Sequence, residues 1–129
     1  MTRSGVVLAG TIVLDIVHMI DQWPDEEQIA FIRQTIEAPG GPPHNAAAGL
    51  VKLQAPFPVS MICVVGEDAA GNTFNRIAGE LGLDTSGVIR VPGHSTDVTH
   101  VMTSLASGKR TFFFRPGANG TMTAEQMLP

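Results

Sequence analysis

Gly40-Gly41-Pro42-Pro43-His44-Asn45 leads into a run of small residues, Ala46-Ala47-Ala48-Gly49-Leu50. Glycine lets a backbone approach a ligand closely and reach positive φ. Two adjacent prolines do not fit the middle of a helix, so they belong to a loop or a first helical turn. Asn45 offers a donor and an acceptor where the helix starts. Such a loop can hold a polar ligand against a helix N-terminus. It can equally be a tight turn ahead of a capped helix, since short motifs recur by chance.

The N-terminal segment sharpens the reading. Val6-Val7-Leu8-Ala9-Gly10-Thr11 is an apolar run ending in glycine, and Ile12-Val13-Leu14-Asp15 follows it. A buried strand that delivers one carboxylate near its C-terminal end is expected. In open α/β sheets that edge is where ligands bind. Alone, Asp15 reads as a cap or turn residue. Beside the double-glycine loop it becomes a candidate partner for a hydroxyl group.

Four motifs stand in order along the chain: Asp15, Gly40-Gly41 to Asn45, Gly66-Glu67-Asp68-Ala69-Ala70-Gly71, and Pro116-Gly117-Ala118-Asn119. Their order and spacing resemble those of the ribokinase-like (PfkB-type) carbohydrate kinases, from about Val6 to the last residue. Family members often have Gly or Ala where Pro42, Pro43 and His44 stand. The resemblance implies a three-layer α/β sandwich, represented here in part, with a parallel central sheet and a small β-sheet lid. It implies transfer of the ATP γ-phosphate to a sugar hydroxyl, with Mg²⁺ as the metal. Asp15, Gly40, Gly41 and Asn45 match the family's sugar contacts.

Composition narrows the alternatives. The chain has 129 residues, 43% hydrophobic and 16% charged, enough for one domain with a core and too apolar for disorder. A net charge of −4 with scattered Lys and Arg argues against nucleic acid as the partner. No apolar run approaches a membrane span. The first residues, Met1-Thr2-Arg3-Ser4, lack a cleavage-site pattern. The single cysteine, Cys63, lies in an apolar run and reads as a buried thiol of a cytoplasmic protein. Of the four histidines (His18, His44, His94, His100) none pair at helical spacing, so a structural zinc site is not expected. His44 is expected to be a partly exposed loop residue.

Strands are expected at Val6–Ala9 (apolar on both faces, as in a central parallel strand), 60–65 and 88–91. Helices are expected from Asn45 to Leu53 and around Phe74, Ile77, Ala78 and Leu81, with Gly82 as the C-terminal glycine. That alternation is the βαβ signature. Further β-like runs at 12–20, 29–36, 98–105 and 110–115 suggest a second, smaller sheet, which the family resemblance implies is the lid and a possible homodimer contact. Phe112, Phe113 and Phe114 are then partly core and partly interface. Thr99, which alternates with Val101, is a candidate pocket residue. Arg115 is a candidate contact for an acidic or phosphorylated sugar. Asp68 reads as a helix cap.

No catalytic residue is assigned within this chain. The family's Asp base lies in a Gly-rich Asp-Thr-x-Gly-Ala-Gly-Asp motif, and no such run occurs here, nor a Walker-type loop. Thr123-Ala124-Glu125-Gln126 has capping-box form, yet Leu128-Pro129 stops the helix after one turn, too short to stand alone. The expectation is an N-terminal fragment that supplies the sugar-binding half and lid, inactive alone, with no cofactor held by its own residues. The alternative is a non-catalytic sugar-binding or dimerising remnant. A dinucleotide-binding oxidoreductase ranks below both, because no G-x-G-x-x-G follows the first strand. The sequence does not select among ribose, fructose, 2-keto-3-deoxygluconate, sugar phosphates and nucleosides.

Overall fold

A computed structural model describes residues 4–128. The expectations for Met1–Arg3 and for Pro129 lie outside the described residues. In chain order the elements are β1 (Val6–Ala9), β2 (Val13–Ile20), β3 (Ile32–Gly40), α1 (Pro42–Lys52), β4 (Val59–Gly66), α2 (Ala69–Glu80), β5 (Val88–Val91), β6 (Val98–Ser104) and β7 (Arg110–Arg115). A 3₁₀ turn (Ala118–Thr121) and the short α3 (Ala124–Met127) follow.

The strands divide between two sheets. The first is parallel, in the order β1-β4-β5. Alternate residues of β4 point the same way. Met61, Cys63 and Val65 therefore share one face, where Ala47 and Ala48 of α1 and Phe74 and Ala78 of α2 cover them, with Ile12 and Leu83 closing the core. Burial pushes the Cys63 thiol pKa up to about 12, as expected of an unreactive core cysteine. β4, not β1, is the central strand. β1 pairs on one side only among the described residues, and Val6 and Val7 remain 36% and 45% exposed.

The second sheet has the order β3-β2-β6-β7, antiparallel at both outer pairs and parallel between β2 and β6. The strand expected over 29–36 starts at Ile32 and runs to Gly40, because β2 begins at Val13 and its register extends to the pair Val13↔Gly40. Pro39 is tolerated on this edge strand, where a missing N–H costs no inner ladder bond. Ahead of it, Asp21 accepts the Phe31 N–H and pairs with Arg33 at 3.5 Å, and a register shift separates Met19 from Ile20. Across the middle of the sheet, Thr35 Oγ1 meets His18 Nδ1 at 3.1 Å and His18 Nε2 meets His100 Nδ1 at 3.2 Å, joining β3, β2 and β6 through side chains.

Both main helices follow their local signals, with one shift. α1 begins at Pro42, three residues before the expected Asn45, because a first turn has no N–H bonds for proline to remove. α2 is capped by Asp68, whose Oδ1 accepts the Gly71 N–H at 2.9 Å. It ends before Gly82, at φ +82. Thr123 and Gln126 form the expected capping box of α3.

Two polar joints connect the sheets. The buried Thr96 hydroxyl donates to Asp68 Oδ1 at 2.7 Å and accepts the Gly66 N–H at 3.0 Å, while the Thr96 N–H donates to Asp68 Oδ2 at 2.9 Å. Gly66 is packed so tightly that a Cβ there would collide with the backbone of His94, Ser95 and Thr96. In the second joint, Asn119 clasps Ile12: its Nδ2 donates to Ile12 O at 2.6 Å and its Oδ1 accepts the Ile12 N–H at 3.3 Å. Buried Asp97 accepts the Asn119 N–H at 2.9 Å, and its own carbonyl accepts the Leu14 N–H at 3.0 Å.

Candidate functional site

Asp15 lies within β2, directly paired with Thr99 of β6 on one side and Ala38 of β3 on the other. Thr99 stands beside the carboxylate by register. Partial burial pushes the Asp15 carboxyl above its ordinary range, and the neighbouring Thr99 hydroxyl opposes the shift without cancelling it. Gly40 completes the group. A Cβ at position 40 would lie 2.7 Å from Asp15 Oδ2, so a larger residue at the end of β3 would have to displace the carboxylate.

The loop after Gly40 is as tightly placed. Gly41 has φ +97, and a Cβ there would lie 2.8 Å from Ile12 Cα. Any larger residue would be strained and would push the loop off the Thr11–Ile12 backbone just ahead of β2. Asn45 follows on the first turn of α1, its N–H donating to Gly41 O at 3.0 Å. Its side chain is exposed and lines a cleft of about 430 Å³ with Glu37, Ala38, Pro39 and Lys52. Asp15, Gly40 and Thr99 thus form one cluster with Gly41 next to it in the chain, and Asn45 opens onto the cleft beyond the double-glycine turn.

Arg115 goes elsewhere. Paired residues of neighbouring strands share a face, and Arg115 is paired with Val98, whereas Thr99 is paired with Phe114. Arg115 therefore lies on the reverse face. There it lines a second cleft of about 440 Å³ with Glu37, His100 and Asp68. Burial pushes the Asp68 carboxyl up, but the hydrogen bonds from Thr96 and Gly71 and the charge of Arg115 outweigh it and hold the group below the ordinary carboxylate range.

The face that carries Asp15 and Thr99 also carries Phe112 and Phe114 by register, at 61% and 59% exposure. Phe113, on the reverse face, is 50% exposed and stacks on Trp23 with ring centroids 6.1 Å apart. None of the three phenylalanines enters the core, because β7 is an outer strand exposed on both faces.

His44 differs from its expectation. It is buried, at 4% exposure, with its ring edge-on to Phe74 and its Nδ1 3.3 Å from Asn45 Oδ1. A loop position suggested exposure, but α1 starts early enough to turn His44 toward the core. Sequence reading also missed the joint residues Thr96 and Asp97. Their only local signal is a polar pair immediately before an apolar strand.

Among the described residues, no group of three His, Cys, Asp or Glu side chains is arranged to hold a metal ion. Among the described residues, no G-x-G-x-x-G or G-x-x-x-x-G-K-[ST] run follows a strand. What the Asp15 cluster offers is a partly buried carboxylate able to accept hydrogen bonds. No helix among the described residues is long and apolar enough to cross a membrane.

A parallel βαβ sheet joined to a mixed four-stranded sheet, with a carboxylate and a double-glycine turn at the junction, defines the class of protein. The chain belongs to the pfkB family of carbohydrate kinases, whose family model matches residues 5–128. Comparison with curated protein sequences returns no match. Among solved structures, ribokinase from Giardia lamblia is 21% identical, with a TM-score of 0.80 over 96% of this chain and 39% of its own. Arabidopsis thaliana ribokinase, complexed with ribose and ATP, is 25% identical, with a TM-score of 0.75 over 91% of this chain and 37% of its own. A nucleoside kinase of the ribokinase family from Methanocaldococcus jannaschii is 21% identical, with a TM-score of 0.73 over 90% and 38%. The chain spans about two fifths of the length of these relatives.

Proposed function

We propose that this chain supplies the sugar-binding half and covering sheet of an ATP-dependent, cytoplasmic sugar kinase. The observation that carries the proposal is the Asp15 cluster: a partly buried carboxylate, paired in register with Thr99 and given room by Gly40. A carboxylate accepts hydrogen bonds from sugar hydroxyls, and the Asn45 amide, carried in on the double-glycine turn, is the neutral polar partner in this reading. In this reading the sheet of β2, β3, β6 and β7 is the lid over the sugar. ATP and Mg²⁺ are bound by the remainder of the complete protein, which also supplies the base. Within this chain the work is binding and orientation of the acceptor hydroxyl. Arg115, on the reverse face, is not assigned a sugar contact.

The test is ADP release by the full-length protein with a panel of D-ribose, D-fructose, 2-keto-3-deoxygluconate and adenosine. Activity on one of them that falls at least tenfold in Asp15→Ala is expected. No ADP release with any panel member, together with no panel binding in calorimetry, would refute the reading. The 129-residue chain alone is expected to bind the sugar weakly and release no ADP.

A second reading, a dimerising sugar-binding module without catalysis, draws on a different observation. Phe112 and Phe114 remain more than half exposed on one face of an open-edged strand, an apolar surface suited to a second copy of the chain. Sugar binding without ADP release by the full-length protein would favour it.

A further inference from the structure

His44 is buried, yet the sugar reading gives it no task. Its Nδ1 lies 3.3 Å from Asn45 Oδ1, and its Nε2 is buried with no hydrogen-bond partner. Burial, the largest cause, and the charge of Lys52 lower its pKa below the ordinary value, while the contact with Asn45 opposes them. A neutral imidazole carries one proton, on either nitrogen. A proton on Nε2 would bury an N–H with nothing to receive it, and orphaned buried N–H groups are rarer than under-used acceptors. The proton therefore belongs on Nδ1, where it donates to the Asn45 carbonyl oxygen.

This bond determines which end of the Asn45 amide a ligand meets. Oδ1 is engaged by His44. The Nδ2 amine has no partner among the described residues, and Asn45 is exposed. We propose that His44 is a positioning residue that locks the Asn45 amide with its N–H donors toward the ligand. The inference rests on the proposed sugar site. It deepens that reading by specifying complementary roles: Asp15 receives a hydroxyl proton, and Asn45 donates to a ligand oxygen. The ligand selected is a polyol with one oxygen free to accept. A sugar bearing an ammonium group at that position would be rejected, because an ammonium has no lone pair to offer.

The test uses the full-length protein and the panel sugar that binds tightest, with each of its monodeoxy and amino analogues. Loss of one partly buried hydrogen bond predicts roughly fivefold weaker binding in His44→Leu and about tenfold in Asn45→Ala. The double variant is expected to bind no worse than Asn45→Ala, since His44 acts only through Asn45. Discrimination against the analogue altered at the Asn45-facing oxygen should collapse in both single variants. Independent losses in the double variant, or full discrimination in His44→Leu, would overturn the inference while leaving the sugar site standing. Unchanged binding in Asn45→Ala would remove the Asn45 contact and the inference with it. Imidazole ¹⁵N shifts of the unaltered protein give a readout that needs no folded variant: a proton on Nδ1 is expected, and one on Nε2 overturns the proposal.

Discussion

Asp15 and His44 carry opposite lessons about burial. Burial raises the Asp15 pKa, so the folded state holds this proton more tightly than the unfolded chain does. Its contribution to stability is therefore largest at acid pH and declines as pH rises above about 4. Asp15→Asn removes this penalty. At neutral pH the variant should melt at or above the temperature of the unaltered protein, while sugar affinity falls at least about tenfold. Calorimetric melting and titration on one sample check both. For His44 the shift is downward, so the unfolded chain binds the proton more tightly. Stability is full at alkaline pH and falls as pH drops through about 6.5. In His44→Leu that fall should be shallower, as measured by urea midpoints across the acid range.

At the scale of elements, the turn between β4 and α2 concentrates much of the fixing. Asp68 caps α2 and also holds Thr96 through two hydrogen bonds. Removing a cap costs about 1 kcal/mol, and leaving the Thr96 groups short of a partner adds a similar amount. Asp68→Ala should therefore destabilise the chain by about 2 kcal/mol at neutral pH in urea titration. Because the Asp68 pKa is lowered in the folded state, this stabilisation is present above about pH 4 and is lost as pH falls further. The motif Gly66 to Gly71 was legible in sequence as a glycine-flanked cap. That its carboxylate also pins the start of the second sheet was not, since Thr96 is 28 residues away.

For the whole molecule, the issue is how the two sheets are held together. Asn119 bonds both backbone groups of Ile12 across 107 residues of sequence. Asn119→Ala leaves those groups to find other partners, at a cost of about 2 kcal/mol. Hydrogen exchange at β2 and β6 is expected to accelerate more than at β4, because the joint borders the second sheet. If the exposed phenylalanines form the proposed homodimer surface, Phe112→Ser with Phe114→Ser should shift a dimer toward monomer in light scattering. Unchanged mass in solution would exclude that surface.

The amino-acid sequence by itself pointed to the family, through the resemblance of four ordered motifs, and determined the βαβ core and most element positions. The core and the elements rest on local signals: apolar runs, helical spacing around Phe74, a capping aspartate, and prolines confined to a loop or first turn. It also singled out Asp15, Gly40, Gly41, Asn45 and Thr99. Only the tertiary structure decided that Arg115 lies on the opposite face from Thr99, that β3 runs on to Gly40, that His44 is buried with its ring against Phe74, and that Thr96, Asp97 and Asn119 join the sheets. Each of these depends on strand register or on contacts between distant segments. A one-residue change in register reverses a side chain's face, and nothing local in the sequence states which partner a strand will meet.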